Sequence, residues 1–179
     1  VTDAAIINCY NKGSVDATSN AGGISGNITS SAVDDCYNAG IISGDSNIGG
    51  IAGSINAGYV KNCYNTAPVN GSISYVGGMT GNSTSSTVCF SYNTGLITGN
   101  NTYVGSISGT GSSSSVINCY YLSGTAAGGI NGADIAGKAE ALTSAQMKSQ
   151  ENFIGWDFAY EWFLDAQYRY DNSSEYPQL

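Results

Sequence analysis

Histidine is absent from this 179-residue chain, and its absence excludes several kinds of catalytic site at once. A Ser-His-Asp triad, a Cys-His pair and a histidine-ligated zinc site each need at least one imidazole ring. Most of the common hydrolase chemistries are therefore closed to the chain. We expect a protein that is not an enzyme, with no catalytic residue, no cofactor and no metal site.

Charged side chains are also scarce, at 10% of the residues, and acidic ones dominate, so that the formal net charge is −8. No basic run is present that would attract nucleic-acid phosphates or anionic lipids. No apolar stretch approaches the roughly 18 residues that a membrane-spanning helix needs. We therefore expect neither a nucleic-acid partner nor insertion of this segment into a membrane. The 41% of hydrophobic residues still suffices for a folded core.

A four-residue motif recurs along the first two thirds of the chain. Its copies read NCYN, DCYN, NCYN, FSYN and NCYY, and its small second residue advances by 27, 27, 28 and 28 positions. This column consists of Cys9, Cys36, Cys63, Ser91 and Cys119. A second motif, GGISG, GGIAG, GGMTG and GSISG, runs in phase with the first, and its central residues are Ile24, Ile51, Met79 and Ile107. Two columns that share one period indicate a repeat protein.

The repeat predicts the fold. Each period contains three short strand-like stretches, separated by Gly, Asn, Ser and Asp clusters that suit tight turns. A unit this small cannot bury its apolar face alone, so neighbouring units must stack on one another. We predict an all-β, right-handed parallel β-helix (β-solenoid) of about five coils of 27–28 residues, spanning residues 1–122.

Stacking gives the repeated polar residues structural roles, because equivalent positions then lie about 4.8 Å apart. We expect the cysteine column to be buried and its thiols to stay free, since side chains stacked in register suit a disulfide poorly. We expect a hydrogen-bonded amide ladder at a turn, where asparagine tolerates left-handed backbone angles. The residues of this ladder are Asn11, Asn38, Asn65 and Asn93.

A tyrosine follows each member of the cysteine column, and the direction of these rings is open. If they face inward they form a stacked aromatic core, whereas if they face outward they form a ridge that could bind sugar rings or another protein. Odd spacings between neighbouring apolar residues prevent a decision from strand alternation. This tyrosine column consists of Tyr10, Tyr37, Tyr64, Tyr92 and Tyr120.

The composition changes after Leu122, which indicates a separate C-terminal segment at residues 123–179. Thr143 and Gln146 form a capping-box pattern that predicts a short helix over about 144–150. The end of a solenoid exposes unpaired backbone and apolar interior, so we expect this segment to be an aromatic-rich cap. The residues expected to form the cap are Phe153, Trp156, Phe158, Trp162 and Phe163.

Written out as VGGMTGNSTSSTV and NCYN-x-G, the repeat resembles the GLUG-motif repeats of bacterial secreted and surface proteins, over residues 1 to about 122. The resemblance implies a β-helical part of a large surface protein. Such proteins include adhesin-like chains and metalloproteases that cleave immunoglobulin A, in which the repeats belong to the non-catalytic region. The resemblance carries no catalytic residue, because the repeat itself defines none, and H-E-x-x-H is impossible without histidine.

These observations favour a non-enzymatic structural or adhesive module on a bacterial cell surface, acting as a rigid stalk or display surface. Its variable turns, at 29–32, 54–58, 83–86 and 111–115, would meet a protein or glycan ligand. One alternative is an extracellular filament, in which the first coil, which has no evident cap, pairs with a further copy of the chain. Another is a carbohydrate-binding β-helix, although the few charged residues of the repeats do not line up in the sequence. The N-terminal residues lack signal-peptide features, so we expect either a removed signal or an excised fragment.

Overall fold

The computed structural model describes residues 1–100, 103–112, 114–163 and 176–179. The chain winds through parallel strands into a β-solenoid of about four turns, with almost no helix. The five Cys-Tyr or Ser-Tyr corners stack in one sheet, and four full turns lie between the first corner and the last. The predicted parallel β-solenoid is confirmed, and its right-handed winding stays a prediction.

Each coil contributes to four sheets rather than the three strands expected from the sequence. The first sheet contains β1 (Ala5–Ile7), β5 (Ala32–Asp34), β9 (Tyr59–Lys61), β13 (Thr87–Cys89) and β18 (Ser115–Ile117). The second sheet contains β2 (Tyr10–Asn11), β6 (Tyr37–Asn38), β10 (Tyr64–Asn65), β14 (Tyr92–Asn93), β19 (Cys119–Leu122) and β20 (Ala139–Leu142). The second sheet carries the Tyr-Asn corners.

The other two sheets carry the glycine-rich half of each coil. The third sheet contains β3 (Val15–Gly22), β7 (Ile42–Gly49), β11 (Val69–Gly77), β15 (Ile97–Gly99) and β16 (Val104–Gly105). The fourth sheet contains β4 (Ser25–Thr29), β8 (Ala52–Asn56), β12 (Thr80–Thr84) and β17 (Ser108–Ser112). The extra strand arises because the residues after the Gly-Gly pair form a sheet of their own.

The strand register keeps like residues in vertical columns. Val33 pairs with Val60, which lies below Val88, and Ile51 lies in the same apolar interior as these three valines. All four have no exposed surface. The period of 27 or 28 residues thus places an apolar residue over an apolar residue in every coil, which gives one continuous core.

Left-handed backbone angles occur three residues before the position at which we expected them. The residue before each member of the cysteine column has a positive φ, between 47° and 54°: Asn8, Asp35, Asn62, Phe90 and Asn118. The asparagine ladder instead lies in the extended strands β2, β6, β10 and β14. The prediction that the ladder asparagines take the left-handed conformation was therefore wrong, and their amides serve the contacts between coils.

The first part of the C-terminal segment adds a further layer to the stack of coils. β20 pairs in parallel with β19, and the backbone N–H of Ile107 donates to the carbonyl oxygen of Gly129 at 2.8 Å. Ile130 packs on the core and Ala139 is fully buried within it. Residues 128–142 therefore close this end of the solenoid.

The expected short helix is present as two 3-10 helices, Gln146–Lys148 and Gln150–Asn152. The capping-box contacts form: the Thr143 N–H donates to Gln146 Oε1 at 2.9 Å, and the Gln146 N–H donates to Thr143 Oγ1 at 3.3 Å. None of the helices in the described residues has both the length and the apolar character needed to cross a membrane.

Candidate functional site

The asparagine ladder is a chain of amide hydrogen bonds through the coils. Asn11 Nδ2 donates to Asn38 Oδ1 at 2.8 Å, Asn38 Nδ2 to Asn65 Oδ1 at 2.7 Å, and Asn65 Nδ2 to Asn93 Oδ1 at 2.7 Å. The other hydrogen of each amide goes to the carbonyl oxygen two residues further on. The ladder ends where Asn93 Nδ2 donates to Ser106 Oγ at 3.0 Å. The last three asparagines are fully buried, so water does not compete for these amide hydrogen bonds. The ladder therefore helps to hold neighbouring coils together.

The second glycine of the Gly-Gly motif fits against this ladder. A Cβ atom on Gly50 would lie 2.5 Å from Asn65 Cγ, and one on Gly78 would lie 2.5 Å from Asn93 Cγ. Real Cβ atoms do not approach other atoms so closely, so only glycine leaves room for the amide. The Gly-Gly motif and the Cys-Tyr-Asn motif, which repeat in phase in the sequence, thus pack against each other in the fold.

The cysteine column is buried except at its first member. Cys36, Cys63 and Cys119 are fully buried, whereas Cys9 is exposed, and all five cysteines of the chain are free thiols. Burial raises the pKa of Cys63 well above its ordinary value, that of Cys89 to about 11 and that of Cys119 to about 12. These three thiols stay protonated at neutral pH and do not act as nucleophiles there.

The tyrosine column faces away from the main core. Neighbouring rings stack with centroids 5.2 Å apart for Tyr10 and Tyr37, 4.9 Å for Tyr37 and Tyr64, and 5.1 Å for Tyr64 and Tyr92. Exposure falls along the column, from 64% at Tyr10 to none at Tyr92. The rings of Tyr37, Tyr64, Tyr92 and Tyr120 belong to a second apolar cluster that is separate from the core. The tyrosine column therefore lies on the outer side of the solenoid, and its C-terminal members are covered by other residues.

The C-terminal segment provides this cover. Trp162 packs on Tyr92 with ring centroids 5.9 Å apart, Trp156 packs on Tyr120 at the same distance, and Phe153 meets Tyr120 edge-on at 5.1 Å. We name residues 143–163 and 176–179 the lateral cover. The expected aromatic-rich C-terminal cap is present, but its rings lie along the side of the solenoid, on the tyrosine column, rather than over the last coil.

The remaining cap residues lie at the margin of this cover. Phe158 is partly buried against the same cluster, and Phe163 is 37% exposed while its backbone pairs with Gln178. Tyr92 Oη donates to the carbonyl oxygen of Pro177 at 2.7 Å. The C-terminal residues 176–179 thus lie against the hydroxyl groups of the tyrosine column.

In the described part of the chain, the tryptophan rings of the lateral cover contact Tyr64, Tyr92 and Tyr120, and the more exposed part of the column lies in the first two coils, at Tyr10 and Tyr37. The ammonium group of Lys12 lies 5.3 Å from the centroid of the Tyr10 ring, a cation–π contact. The inner members Tyr64, Tyr92 and Tyr120 are 6% exposed or less and are not available to a ligand.

A groove runs along the corner between the fourth and first sheets. Asp3, Ser30, Ala57 and Ser85 stack there in left-handed conformations, with φ between 46° and 52°. Beside them lies an open groove of about 620 Å³. We name it the turn groove; its side-chain hydroxyls come from Ser30, Ser31, Tyr59, Ser85 and Thr87.

The sequence located the variable turns at 29–32, 54–58 and 83–86 but not the groove that they form. Tyr59, whose side chain is 42% exposed, lies just beyond one of these turns and was not expected to contribute. Its position opposite Ala32 and Thr87 in the strand register brings it into the groove. The fourth turn, 111–115, includes residue 113, which lies outside the described residues.

The structure brings together charged residues that the sequence did not align. Lys61 Nζ lies 3.9 Å from Asp34 Oδ2, because these residues are register partners. Burial, and then the neighbouring Asp35, raise the pKa of Asp34. Burial, and then Asp35, also raise the pKa of Glu161 on the lateral cover. In the described part of the chain, no three His, Cys, Asp or Glu residues are grouped so that they could hold a metal ion.

Comparisons with known proteins give one structural match. No family profile and no curated protein matches the chain. Among solved structures, the fold is similar to the crystal structure of "a putative immunoglobulin A1 protease from Bacteroides ovatus", with a TM-score of 0.72 and 22% sequence identity. The match covers 97% of this chain and 57% of that one, so the chain spans little more than half the length of the solved protein. At this identity the likeness shows the shared fold alone.

Proposed function

We propose that the chain is a non-enzymatic extracellular module of a bacterial surface protein, which displays a binding surface on a rigid rod. The observation that carries the proposal is the turn groove, in which exposed turn residues of successive coils are stacked at fixed spacing. Loops placed on a rigid scaffold are the usual location of binding residues. The expected ligand is a protein or a glycan of another surface.

The contrast between interior and turns supports display. Asn38, Asn65 and Asn93 repeat one side chain at one buried position. At the left-handed turn, by contrast, Asp3, Ala57 and Ser85 place different side chains on the same backbone conformation. The interior columns hold the coils in register, while the turn side chains are free to differ. A module of this kind changes its ligand without changing its fold.

The chemistry of the side chains supports a function without catalysis. The sequence contains no imidazole, and burial raises the pKa of three of the five thiols. We also assign the repeats to the GLUG-motif class on the two in-phase motifs. The likeness in fold to a protein of a bacterium is compatible with that assignment and with the proposed location.

An array experiment tests the proposal. The purified chain is applied to arrays of extracellular-matrix proteins and glycans, next to Tyr59→Ser and Tyr160→Ser variants. Tyr59 lines the groove, whereas Tyr160 is 83% exposed on the lateral cover and serves as the matched control. We expect binding that Tyr59→Ser abolishes and Tyr160→Ser retains. Binding to no array member, or equal loss in both variants, contradicts the proposal.

Carbohydrate binding is a second candidate, favoured by the composition of the turn groove. An exposed tyrosine ring next to hydroxyl groups offers the apolar face and the hydrogen-bonding groups that a sugar ring uses. If this candidate is right, glycans bind on the array and matrix proteins do not. A reducing-sugar assay on the bound glycans then separates binding from cleavage, and release of sugar would overturn the non-enzymatic assignment.

A further inference from the structure

The third interval of the cysteine column is 28 residues, one more than the two intervals before it, and the structure locates the extra residue. In the register of β11 against β7, the two residues Ser72 and Ile73 lie opposite the single residue Asp45. Two residues opposite one define a β-bulge, which turns side chains in a new direction and is common beside functional sites. The side chain of Ile73 is 60% exposed. The bulge therefore lies beside an apolar group on the surface of the third sheet.

Tyr75, two residues beyond this bulge, has a left-handed backbone conformation with φ of 57°. The equivalent positions in the two preceding coils are Asn20 and Asn47, with φ of 52° and 56°. Asparagine tolerates this conformation, whereas it is strained for a bulky aromatic residue. Phe90 interrupts another left-handed column in the same way, but it packs against the aromatic cluster of the lateral cover. Tyr75 belongs to none of the three apolar clusters of the described residues, so core packing does not account for its strain.

Tyr75 instead stacks on Tyr103 of the next coil. The ring centroids are 4.8 Å apart and the ring planes are tilted by 40°. Tyr75 is half-buried, and Tyr103 is 41% exposed. We name Ile73, Tyr75 and Tyr103 the tyrosine-pair patch. The bulge and the strained tyrosine are two departures from the repeat that meet in this patch, and backbone strain of this kind is concentrated at functional sites.

Amides and hydroxyls continue the surface of the patch toward the preceding coils. Asn47 Nδ2 donates to Asn20 Oδ1 at 3.0 Å in a contact exposed to solvent, and Ser74 Oγ donates to Ser46 Oγ at 3.2 Å. The strands of the third sheet contain no lysine or arginine, and their charged side chains are carboxylates. The surface therefore offers neutral hydrogen-bonding groups and has nothing to attract an anionic ligand.

The size and chemistry of this surface favour a sugar over a protein partner. A stable protein interface buries about 800 Å² on each side around an apolar centre, which three side chains set among amides and hydroxyls do not supply. A sugar ring uses an apolar face for its C–H groups and neighbouring polar groups for its hydroxyls. The column formed by Asn20, Asn47, Tyr75 and Tyr103 offers both. At about 4.8 Å per coil it is about 14 Å long, which suits a short oligosaccharide.

We propose that the tyrosine-pair patch binds an uncharged oligosaccharide, which lies along the solenoid axis with sugar rings against Tyr75 and Tyr103 and hydroxyls on the amides of Asn47 and Asn20. The site lies on the third sheet, whereas the turn groove lies at the corner between the fourth and first sheets. The two sites are separate, and this one does not depend on the function proposed for the groove.

Tyr75→Asn separates binding from folding. The substitution restores the residue that the preceding coils have at this left-handed position, so the free energy of unfolding in urea is expected to stay the same or to rise. Tyr103→Ser removes the second ring of the pair. Tyr160→Ser is the matched control, since Tyr160 is 83% exposed on the lateral cover, and Tyr59→Ser reports on the turn groove. Circular dichroism confirms that each variant is folded.

The probes are four neutral sugars, cellotetraose, xylotetraose, mannotetraose and chitotetraose, and the anionic tetragalacturonate, each titrated into the full chain by calorimetry. We expect at least one neutral sugar to bind, and its Kd to rise about tenfold or more in Tyr75→Asn and in Tyr103→Ser. The Kd is expected to be unchanged in Tyr160→Ser and Tyr59→Ser.

The other outcomes overturn the proposal in distinguishable ways. Binding of no neutral sugar, or a Kd that neither Tyr75→Asn nor Tyr103→Ser changes, shows that the patch is not a sugar site. Loss of binding in Tyr59→Ser alone assigns the sugar to the turn groove. Equal loss in Tyr160→Ser shows that the binding is not specific to the patch. Tighter binding of tetragalacturonate than of every neutral sugar contradicts the predicted ligand class.

Discussion

The side-chain amide of Asn38 donates to Oδ1 of Asn65 across 2.7 Å, and neither side chain is exposed to solvent. Replacing Asn65 by alanine leaves Asn38 Nδ2 and Asn93 Oδ1 each without one buried partner. A buried polar group without its partner costs about 1–3 kcal/mol. We therefore expect Asn65→Ala to lower the free energy of unfolding in urea by about 3 kcal/mol or more.

Asn70→Ala is the matched control for that measurement. Asn70 Oδ1 accepts a hydrogen bond from Thr98 Oγ1 at 2.7 Å in the neighbouring coil, but that contact is exposed to solvent. Water replaces the lost partner there, so the expected loss is below about 1 kcal/mol. Equal losses in the two variants would show that the buried ladder does not hold the coils together.

The Gly-Gly motif is expected to be intolerant of any side chain. A Cβ on Gly78 would overlap Asn93 Cγ at 2.5 Å, whereas a Cβ on Gly13 would meet Asn11 Oδ1 at an ordinary 3.7 Å. Gly78→Ala should therefore destabilise the fold by at least 1–3 kcal/mol, roughly the cost of overpacking, or prevent folding. Gly13→Ala should change stability by less than about 1 kcal/mol. Circular dichroism and urea unfolding of both variants check the difference, and a well-folded, fully stable Gly78→Ala protein would refute the contact.

Substitution by phenylalanine should affect the stability of the protein differently at the two tryptophans of the lateral cover. Trp156 Nε1 donates to the Asn118 carbonyl oxygen at 2.9 Å, whereas the buried Trp162 Nε1 finds no acceptor in the described residues. Phenylalanine at position 156 removes a hydrogen bond that the fold makes. Phenylalanine at position 162 removes a buried N–H donor that has no partner there, which relieves an unfavourable burial. We expect Trp156→Phe to destabilise the protein by about 1 kcal/mol more than Trp162→Phe does. Thermal unfolding of the two variants measures this difference, and the reverse order would show that the cover is held in another way.

The buried thiols predict a loss of stability at alkaline pH. Burial raises the pKa of Cys119 to about 12, whereas an unfolded thiol has a pKa of about 8.5. Above that value the unfolded chain releases the proton and the folded chain keeps it. The stabilisation is therefore complete below about pH 8.5 and is lost progressively as the pH rises toward 12, at about 1.4 kcal/mol per pH unit for this thiol.

Cys119→Ser tests that assignment with a residue that the column already contains at Ser91. A serine hydroxyl does not titrate in this range, so the variant should lose stability between pH 9 and 10 less steeply than the parent does, by about 1.4 kcal/mol per pH unit. Urea unfolding at several pH values measures both slopes. Identical slopes would mean that Cys119 is not protonated preferentially in the fold.

The sequence predicted what depends on the repeat itself. The stacking of Cys36 on Cys63 and of Asn38 on Asn65 follows from the 27-residue period, because parallel coils place equivalent residues in one column. The paired roles of Gly50 and Asn65 did not follow. Their contact depends on the path of the coil between them, which contains one complete strand of the fourth sheet and one of the first sheet.

Contacts between the repeats and the C-terminal segment were the least predictable. Trp162 lies on Tyr92 although 70 positions separate them in the chain, and no period relates the two. The sequence indicated that Trp162 belongs to a cap, but not that its ring covers Tyr92. It also left the direction of the tyrosine column open, because the left-handed residue before each cysteine resets the alternation of the strand.

Amide hydrogen exchange, resolved coil by coil, tests most directly that the coils form one stack joined by hydrogen bonds between their backbones. The N–H groups of Tyr64 and Tyr92 lie in inner coils and donate to the coils before them, so they are expected to exchange at rates set by global unfolding. The Tyr160 N–H, which donates to Asp157 Oδ1 in a contact exposed to solvent, is expected to exchange orders of magnitude faster. Equal protection of all three, or fastest exchange at Tyr92, would contradict the stacked solenoid.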